Sequence, residues 1–246
     1  MVMVMNLYYM NIEELPADTE KLLRELKEAA PGIGIAAGQR IGRYKRTQDR
    51  QRSLGAYLLL LYACTEAEKN LQMLCIRPDA MGKPFFVETT EIGATESGAS
   101  EKVQPFFNLS HSGSYAVCVY DEYAECGVDI QKIRADVTGI AGRFFSEGER
   151  ESLFGGHMQE CERAHAFTRI WSRKESLAKC IGSGLRGDLR ELDTAATEYR
   201  IGEIEFAENR EYVLTYCSRA VTQFPSVHPQ VQKICYNSQN GLHVFV

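Results

Sequence analysis

Apolar residues recur along this chain in two rhythms, one helical and one alternating. Leu22, Leu26, Ala29 and Ala30 fall on one helical face. Asp18 or Thr19 can cap that helix, and Pro31-Gly32 is expected to end it. Leu54, Leu58 and Leu61 predict a second helix starting near Thr47 or Asp49. Met1 to Tyr9 reads as a first strand. Phe106–Leu109 and Tyr115–Tyr120 are β-rich runs separated by Ser110-His111-Ser112-Gly113-Ser114, expected to be a turn, and Gly127–Ile130 is a short strand. Ser146 with Glu149 has the spacing of a capping box. A long helix is expected over roughly 162–180, with Phe167, Ile170, Leu177 and Ile181 along one side and Gly182-Ser183-Gly184 as its stop. Strands are expected near 203–206, 212–218, 233–236 and 242–246. The stretch 81–102 reads as loops and weak strands. The hairpin region near residue 123 is where two halves are expected to join, 1–123 and 124–246.

Composition narrows the class. The chain has 246 residues, 44% hydrophobic and 25% charged, which suits a globular protein of one large or two small domains. No apolar run approaches the roughly 20 residues that span a bilayer, so no membrane association is expected. The apolar start has no basic flank and no small-residue cleavage site, so it does not read as an export signal. Eight scattered cysteines with no zinc spacing read as reduced thiols in a cytoplasm. The net charge of −5 argues against a nucleic-acid coat. Arg40–Arg52 breaks that trend, with six basic residues against Asp49 alone, and suggests a small anionic ligand or an acidic partner.

Candidate chemistry sits in short motifs. In Gly127-Val128-Asp129-Ile130-Gln131, strand alternation sends Val128 and Ile130 into a core and Asp129 with Gln131 to the other face. In the run Trp171 to Lys179, the fourfold spacing puts Trp171, Glu175 and Lys179 on one helical stripe. An acid and a lysine on such a stripe can hold a metal and a phosphate, or can be an exposed ion pair. Asn108-Leu109-Ser110-His111-Ser112-Gly113 is a hydroxyl-rich segment suited to a phosphate. Gly82-Lys83-Pro84 lacks the upstream glycine of a P-loop, because Arg77 stands there. Gly32-Ile33-Gly34-Ile35-Ala36-Ala37 follows a helix rather than a strand, so a dinucleotide fold is rejected.

The order of these motifs is more specific than any of them. G-K-P, N-L-S-H-S, G-V-D-I, F-F-S-x-x-E and W-S-x-K-E-S-x-x-K follow one another between Arg40 and Lys179. This resembles the 4'-phosphopantetheinyl transferases of the larger, surfactin-synthetase-activating type. The resemblance implies an α+β fold in which two similar α/β halves pack as an intramolecular pseudo-dimer, with the active site between them. It implies transfer of 4'-phosphopantetheine from coenzyme A to a serine of an apo acyl or peptidyl carrier protein, with Mg2+ as cofactor and 3',5'-ADP released. By resemblance Asp129 and Glu175 bind the metal, Glu175 or a metal-bound water acts as base, and Lys179 contacts phosphate. Ser110 and His111 meet coenzyme A. Lys83, with Arg40, Arg52 and Ser53, holds its nucleotide end. Glu149 also matches the family pattern, although its capping box explains it without catalysis. Many members carry a second acid where this chain has Gln131, which can ligate through oxygen or hold a metal-bound water. A pseudo-dimer within one chain implies a monomer. The rival readings are a nucleic-acid module and a coenzyme A sensor that does not transfer.

Overall fold

The computed structural model describes residues 5–88, 104–134, 138–184, 188–192, 194, 198–206, 208–219, 228–237 and 241–244. The chain opens on strand β1 (Asn6–Asn11) and helix α1 (Thr19–Ala29), whose Asp18 cap accepts from the Lys21 amide at 2.9 Å. Leu22, Leu23 and Leu26 are its buried stripe. Pro31 does not end the helical region, as expected, but starts helix α2 (Pro31–Ile41), where proline suits the first position. The glycines that hid this helix are what allow it to pack. A methyl at Gly32 would lie 2.1 Å from the Leu74 carbonyl oxygen, and one at Gly34 would lie 2.6 Å from Lys27 Cα. Helix α3 (Thr47–Glu66) follows as expected, then β2 (Leu74–Pro78) and β3 (Pro84–Glu88), paired antiparallel.

Strands β4 (Phe106–Ser112) and β5 (Tyr115–Asp121) form a hairpin. The expected turn over 110–114 shrinks to Gly113-Ser114, so Ser110 and His111 lie on a strand. Gly113 has φ of +55°, which the tight reversal needs. Strand β6 (Cys126–Lys132) is longer than expected. Helices α4 (Thr138–Phe144), α5 (Glu147–Phe154) and α6 (Glu160–Ile181) come next, then β7 (Tyr199–Ile204), β8 (Tyr212–Arg219), β9 (Gln230–Asn237) and β10 (Gly241–Val244). The capping box of α5 is present, and Gly182 ends α6 with φ of +85°. Ile181 faces outward, at 39% exposure, rather than lining the buried side. The proposed ends of the first and last strands, residues 1–4 and 245–246, and most of the 81–102 stretch lie outside the described residues.

The first sheet runs β10-β9-β1-β5-β4 and the second β6-β8-β7. β9 lies parallel to β1, so the chain returns to the first sheet after building the second. Helices α1–α3 pack on one face of the first sheet, over Tyr8, Met10, Cys118 and Tyr120. Its other face, with Leu7, Val117 and Val119, packs on Val128, Ile130 and Leu214 of the second sheet. Helix α6 lies on the far side of that second sheet, where Leu177 and Cys180 meet Cys217. The result is an α+β molecule in which each half joins helices to a sheet, the second sheet antiparallel and the first antiparallel except for its β1–β9 pair. Among the described residues no helix is long and apolar enough to cross a membrane.

Candidate active site

The two halves meet along β4 and β6, and side chains make the join. Asn108 Oδ1, Ser110 Oγ and Ser112 Oγ accept from the amides of Val128, Ile130 and Lys132, at 3.2, 3.4 and 3.0 Å. The two-residue strand period puts all three acceptors on one face. The N-L-S-H-S motif therefore stitches the halves together before it does anything else.

At the middle rung sits Asp129, 1% exposed. Its Oδ1 accepts from Lys179 Nζ at 2.7 Å and from Ser110 Oγ at 3.0 Å, and its Oδ2 accepts from Gln131 Nε2 at 3.0 Å. Lys179 Nζ also donates to Ser110 Oγ at 2.9 Å and to the Val128 carbonyl at 3.1 Å. Ser172, one turn above Glu175 on α6, donates to the Asp129 carbonyl at 3.2 Å and shares a 2.8 Å bond with Thr215 Oγ1. The buried hydroxyls fix the helix against β6, and Asp129 is held from both sides. The expected alternation holds: Val128 and Ile130 face the inter-sheet core, and Asp129 faces α6.

A cleft of about 380 Å³ opens beside this network. Arg40 and Arg43 of α2 and its following turn, Ser53 and Tyr57 of α3, Lys83 of the β2–β3 loop, His111 of β4, and Glu175 and Lys179 of α6 all line it. Residues far apart in sequence thus supply cations and an acid to one space. Lys83 Nζ donates to the Cys180 carbonyl at 2.5 Å, where the C-terminal end of α6 welcomes a cation. Its loop is shaped by Asp79, whose Oδ1 accepts from the Met81 and Lys83 amides, both at 2.9 Å.

Burial pushes the Glu175 carboxyl up to about 7; Lys179 pulls it down and Asp129 pushes it up again. Burial drives the His111 imidazole down to about 4, and Lys179, Arg52 and Arg40 add to the fall. At neutral pH His111 is therefore an uncharged ring in a basic cleft.

Not every residue singled out in the sequence reaches the cleft. Arg52 donates to the Gly113 carbonyl at 2.6 Å and pairs with Asp49 at 2.7 Å, so it braces the β4–β5 turn. Arg52 and Gln131 instead line a neighbouring polar hollow of about 520 Å³, separated from the cleft by His111. Ser110 lies behind the cleft wall, in the Asp129 network. Trp171 packs on Phe144, ring centroids 5.4 Å apart, and anchors α6 to α4. Sequence reasoning missed Tyr57 and Gln39 as lining residues. Tyr57 was within reach of it, being one helical turn beyond Ser53. Among the described residues no group of three or more His, Cys, Asp or Glu could hold a metal by itself.

Comparison with known proteins agrees with this architecture half by half. Residues 22–122 match the family described as "4'-phosphopantetheinyl transferase, N-terminal", and residues 125–224 match the "4'-phosphopantetheinyl transferase superfamily". The chain belongs to the 4'-phosphopantetheinyl transferase family. It is 26% identical over 189 residues to the 4'-phosphopantetheinyl transferase psf-1 of Bacillus pumilus, covering 76% of this chain and 74% of that one. It is 33% identical over 112 residues to 4'-phosphopantetheinyl transferase Sfp of Bacillus subtilis, covering 45% of this chain and 49% of that one. It is 30% identical over 182 residues to the L-aminoadipate-semialdehyde dehydrogenase-phosphopantetheinyl transferase of Xenopus laevis, covering 68% of this chain and 55% of that one. The matched stretches thus span about half to three quarters of these relatives' lengths.

Proposed function

We propose that this protein transfers the 4'-phosphopantetheine group of coenzyme A to a serine of an apo carrier protein, releasing 3',5'-ADP. The observation that carries this reading is the single cleft in which Arg40, Arg43, Lys83 and Lys179 surround Glu175. Four cations beside one acid, on a chain of net charge −5, suit a polyanionic substrate and a proton transfer. The boundary near 123/124 fits the two family matches, with 230–244 returning to the first sheet.

Each residue then has a task. Arg40, Arg43, Ser53 and Lys83 bind the nucleotide end of coenzyme A. His111, uncharged, meets a phosphate as a hydrogen-bond partner and takes up a proton as that anion arrives. Arg52 supports this from behind, by holding the turn that follows His111. Ser110 orients Asp129 and Lys179. Lys179 neutralises charge on the pyrophosphate. Glu175, with its carboxyl poised at about 7, takes the proton of the carrier serine hydroxyl as that oxygen attacks the β-phosphorus.

The donor set suits magnesium. Asp129 is close enough to Glu175 to help push its carboxyl up, and Mg2+ commonly takes one or two carboxylates together with phosphates and waters. Gln131, already bonded to Asp129, can add an amide oxygen or orient a water. When bound there, Mg2+ supplies charge neutralisation to the pyrophosphate. The eight cysteines are all free, which supports a reducing, cytoplasmic setting. A monomer is proposed, since both halves of the cleft come from one chain.

Mass spectrometry of an apo carrier protein incubated with this protein, coenzyme A and Mg2+ tests the reading. One added phosphopantetheine, lost on chelation and in Glu175→Ala, supports it. No addition across fatty-acid, polyketide and peptide carriers, with coenzyme A still bound, would make this chain a coenzyme A sensor.

A further inference from the structure

The Lys179 ammonium has three N–H donors, and all three are spent inside the protein. They go to Asp129 Oδ1 at 2.7 Å, Ser110 Oγ at 2.9 Å and the Val128 carbonyl at 3.1 Å. The carboxylate it meets is 1% exposed and has its second oxygen covered by Gln131 at 3.0 Å. The lysine keeps 24% of its side chain exposed and lines the cleft, so it can move while Asp129 cannot.

We propose that Lys179 is an internal stand-in for the divalent cation, keeping it off Asp129 until a pyrophosphate enters with it. The inference rests on the transferase reading above and deepens it. An ammonium and a dication cannot share one buried carboxylate oxygen without strong repulsion. A metal that arrives alone must displace Lys179 from Asp129 and leave the ammonium beside a dication without its anionic partner. A metal that arrives with a pyrophosphate brings new acceptors for the lysine. Lys179 then exchanges a carboxylate for a phosphate, and each charge in the cleft keeps an opposite neighbour. Val128 O and Ser110 Oγ lie on the pivot side of this exchange, because both belong to the β4–β6 seam. The lysine therefore acts twice: it neutralises a substrate anion, and in the free protein it sets the order of binding. The two roles separate experimentally, because only the second is visible without substrate.

Mn2+ binding followed by electron paramagnetic resonance, a readout that needs no turnover, tests this. The free wild-type protein is expected to bind Mn2+ at least about tenfold more weakly than the protein with coenzyme A. Lys179→Met should tighten Mn2+ binding to the free protein by about tenfold or more and shrink the gain from coenzyme A. Lys179→Gln, which keeps hydrogen-bonding capacity without charge, should act in the same direction and covers the case in which the methionine variant does not fold. Asp129→Asn should abolish the signal in every state. Unchanged or weaker Mn2+ binding to both free Lys179 variants, with wild type binding Mn2+ alongside coenzyme A, would overturn this inference alone. No Mn2+ bound by wild type even with coenzyme A would overturn the metal-dependent reading beneath it as well.

Discussion

A methyl group on Gly127 would lie 2.1 Å from the carbonyl oxygen of Ser176 and 2.6 Å from the Cys180 amide nitrogen. The strand that carries Asp129 and the helix that carries Glu175 and Lys179 touch backbone to backbone at this point. Glycine is the residue that lets them do so.

Gly127→Ala must therefore push α6 off β6. No flexible side-chain end is available to yield, since both near atoms are backbone. Overpacking of this kind costs about 1–3 kcal/mol. We expect a lower denaturation midpoint. We also expect a loss of transfer larger than the unfolded fraction explains, because Lys179 and Asp129 move apart. Retention of full activity at reduced stability would show that the site tolerates a shifted helix.

Glu175 gives a prediction whose sign depends on pH. Its folded-state carboxyl is raised to about 7 from its ordinary value of 4.5, chiefly by burial. The protonated form is the one the fold favours. Its stabilising contribution is full below the unfolded value and is lost as pH rises through about 7. Glu175→Gln should thus stabilise the protein at pH 8, on the order of 2–3 kcal/mol, and change little at pH 4.5. Transfer should fall at least about a hundredfold. Denaturant titrations at the two pH values check the first expectation and carrier mass spectrometry the second.

His111 behaves in the opposite way. Its folded value is depressed to about 4 from 6.5, by burial first and then by Lys179 and the arginines. The unfolded chain takes up the proton more readily, so stability is present above 6.5 and is lost as pH falls towards about 4. Wild type should lose on the order of 2–3 kcal/mol more than His111→Asn between pH 7 and pH 4. An NMR titration of the ring should show its value rising when coenzyme A binds, as a phosphate offsets the nearby cations. A ring that titrates near 6.5 in the free protein would mean the cleft is wetter than its geometry indicates.

Much of the site was legible because strand and helix periods are strict. Alternation put Asp129 opposite Val128, and a fourfold spacing put Glu175 and Lys179 on one stripe; both relations hold in three dimensions. The capping box at Ser146 and the stop at Gly182 are local chemistry, and were equally readable. Periodicity says which residues share a face, not what lies across from it. Trp171 shares the stripe with Glu175, yet it packs on Phe144 outside the cleft. Arg52 belongs to the basic run, yet it turns to the Gly113 carbonyl. Helix α2 was missed because Gly32 and Gly34 count against a helix locally. Their value is the close approach to Leu74 and Lys27, a tertiary fact.

Lys174, next to Glu175, was equally invisible, since nothing in the spacing marks it as wholly buried. Its side chain is 0% exposed, and Nζ meets Leu189 O at 2.7 Å, Leu192 O at 3.2 Å and Glu149 Oε2 at 3.0 Å. Glu149 also accepts from the Ser146 amide at 2.8 Å, so one carboxylate serves the α5 cap and the α6 lysine. The two partners differ in exposure, with the Glu149 side chain at 22%. Removing one should therefore not equal removing the other. Glu149→Gln strands a charge that has no access to water and should cost about 3 kcal/mol or more. Lys174→Met fills the buried space and leaves an acid that water can reach, and should cost less, about 1–2 kcal/mol. The double variant should be less destabilised than the sum of the singles. Denaturant unfolding of the three variants decides this, and a costlier Lys174→Met would mean that the two carbonyl bonds, not the ion pair, hold the 188–192 segment against α6.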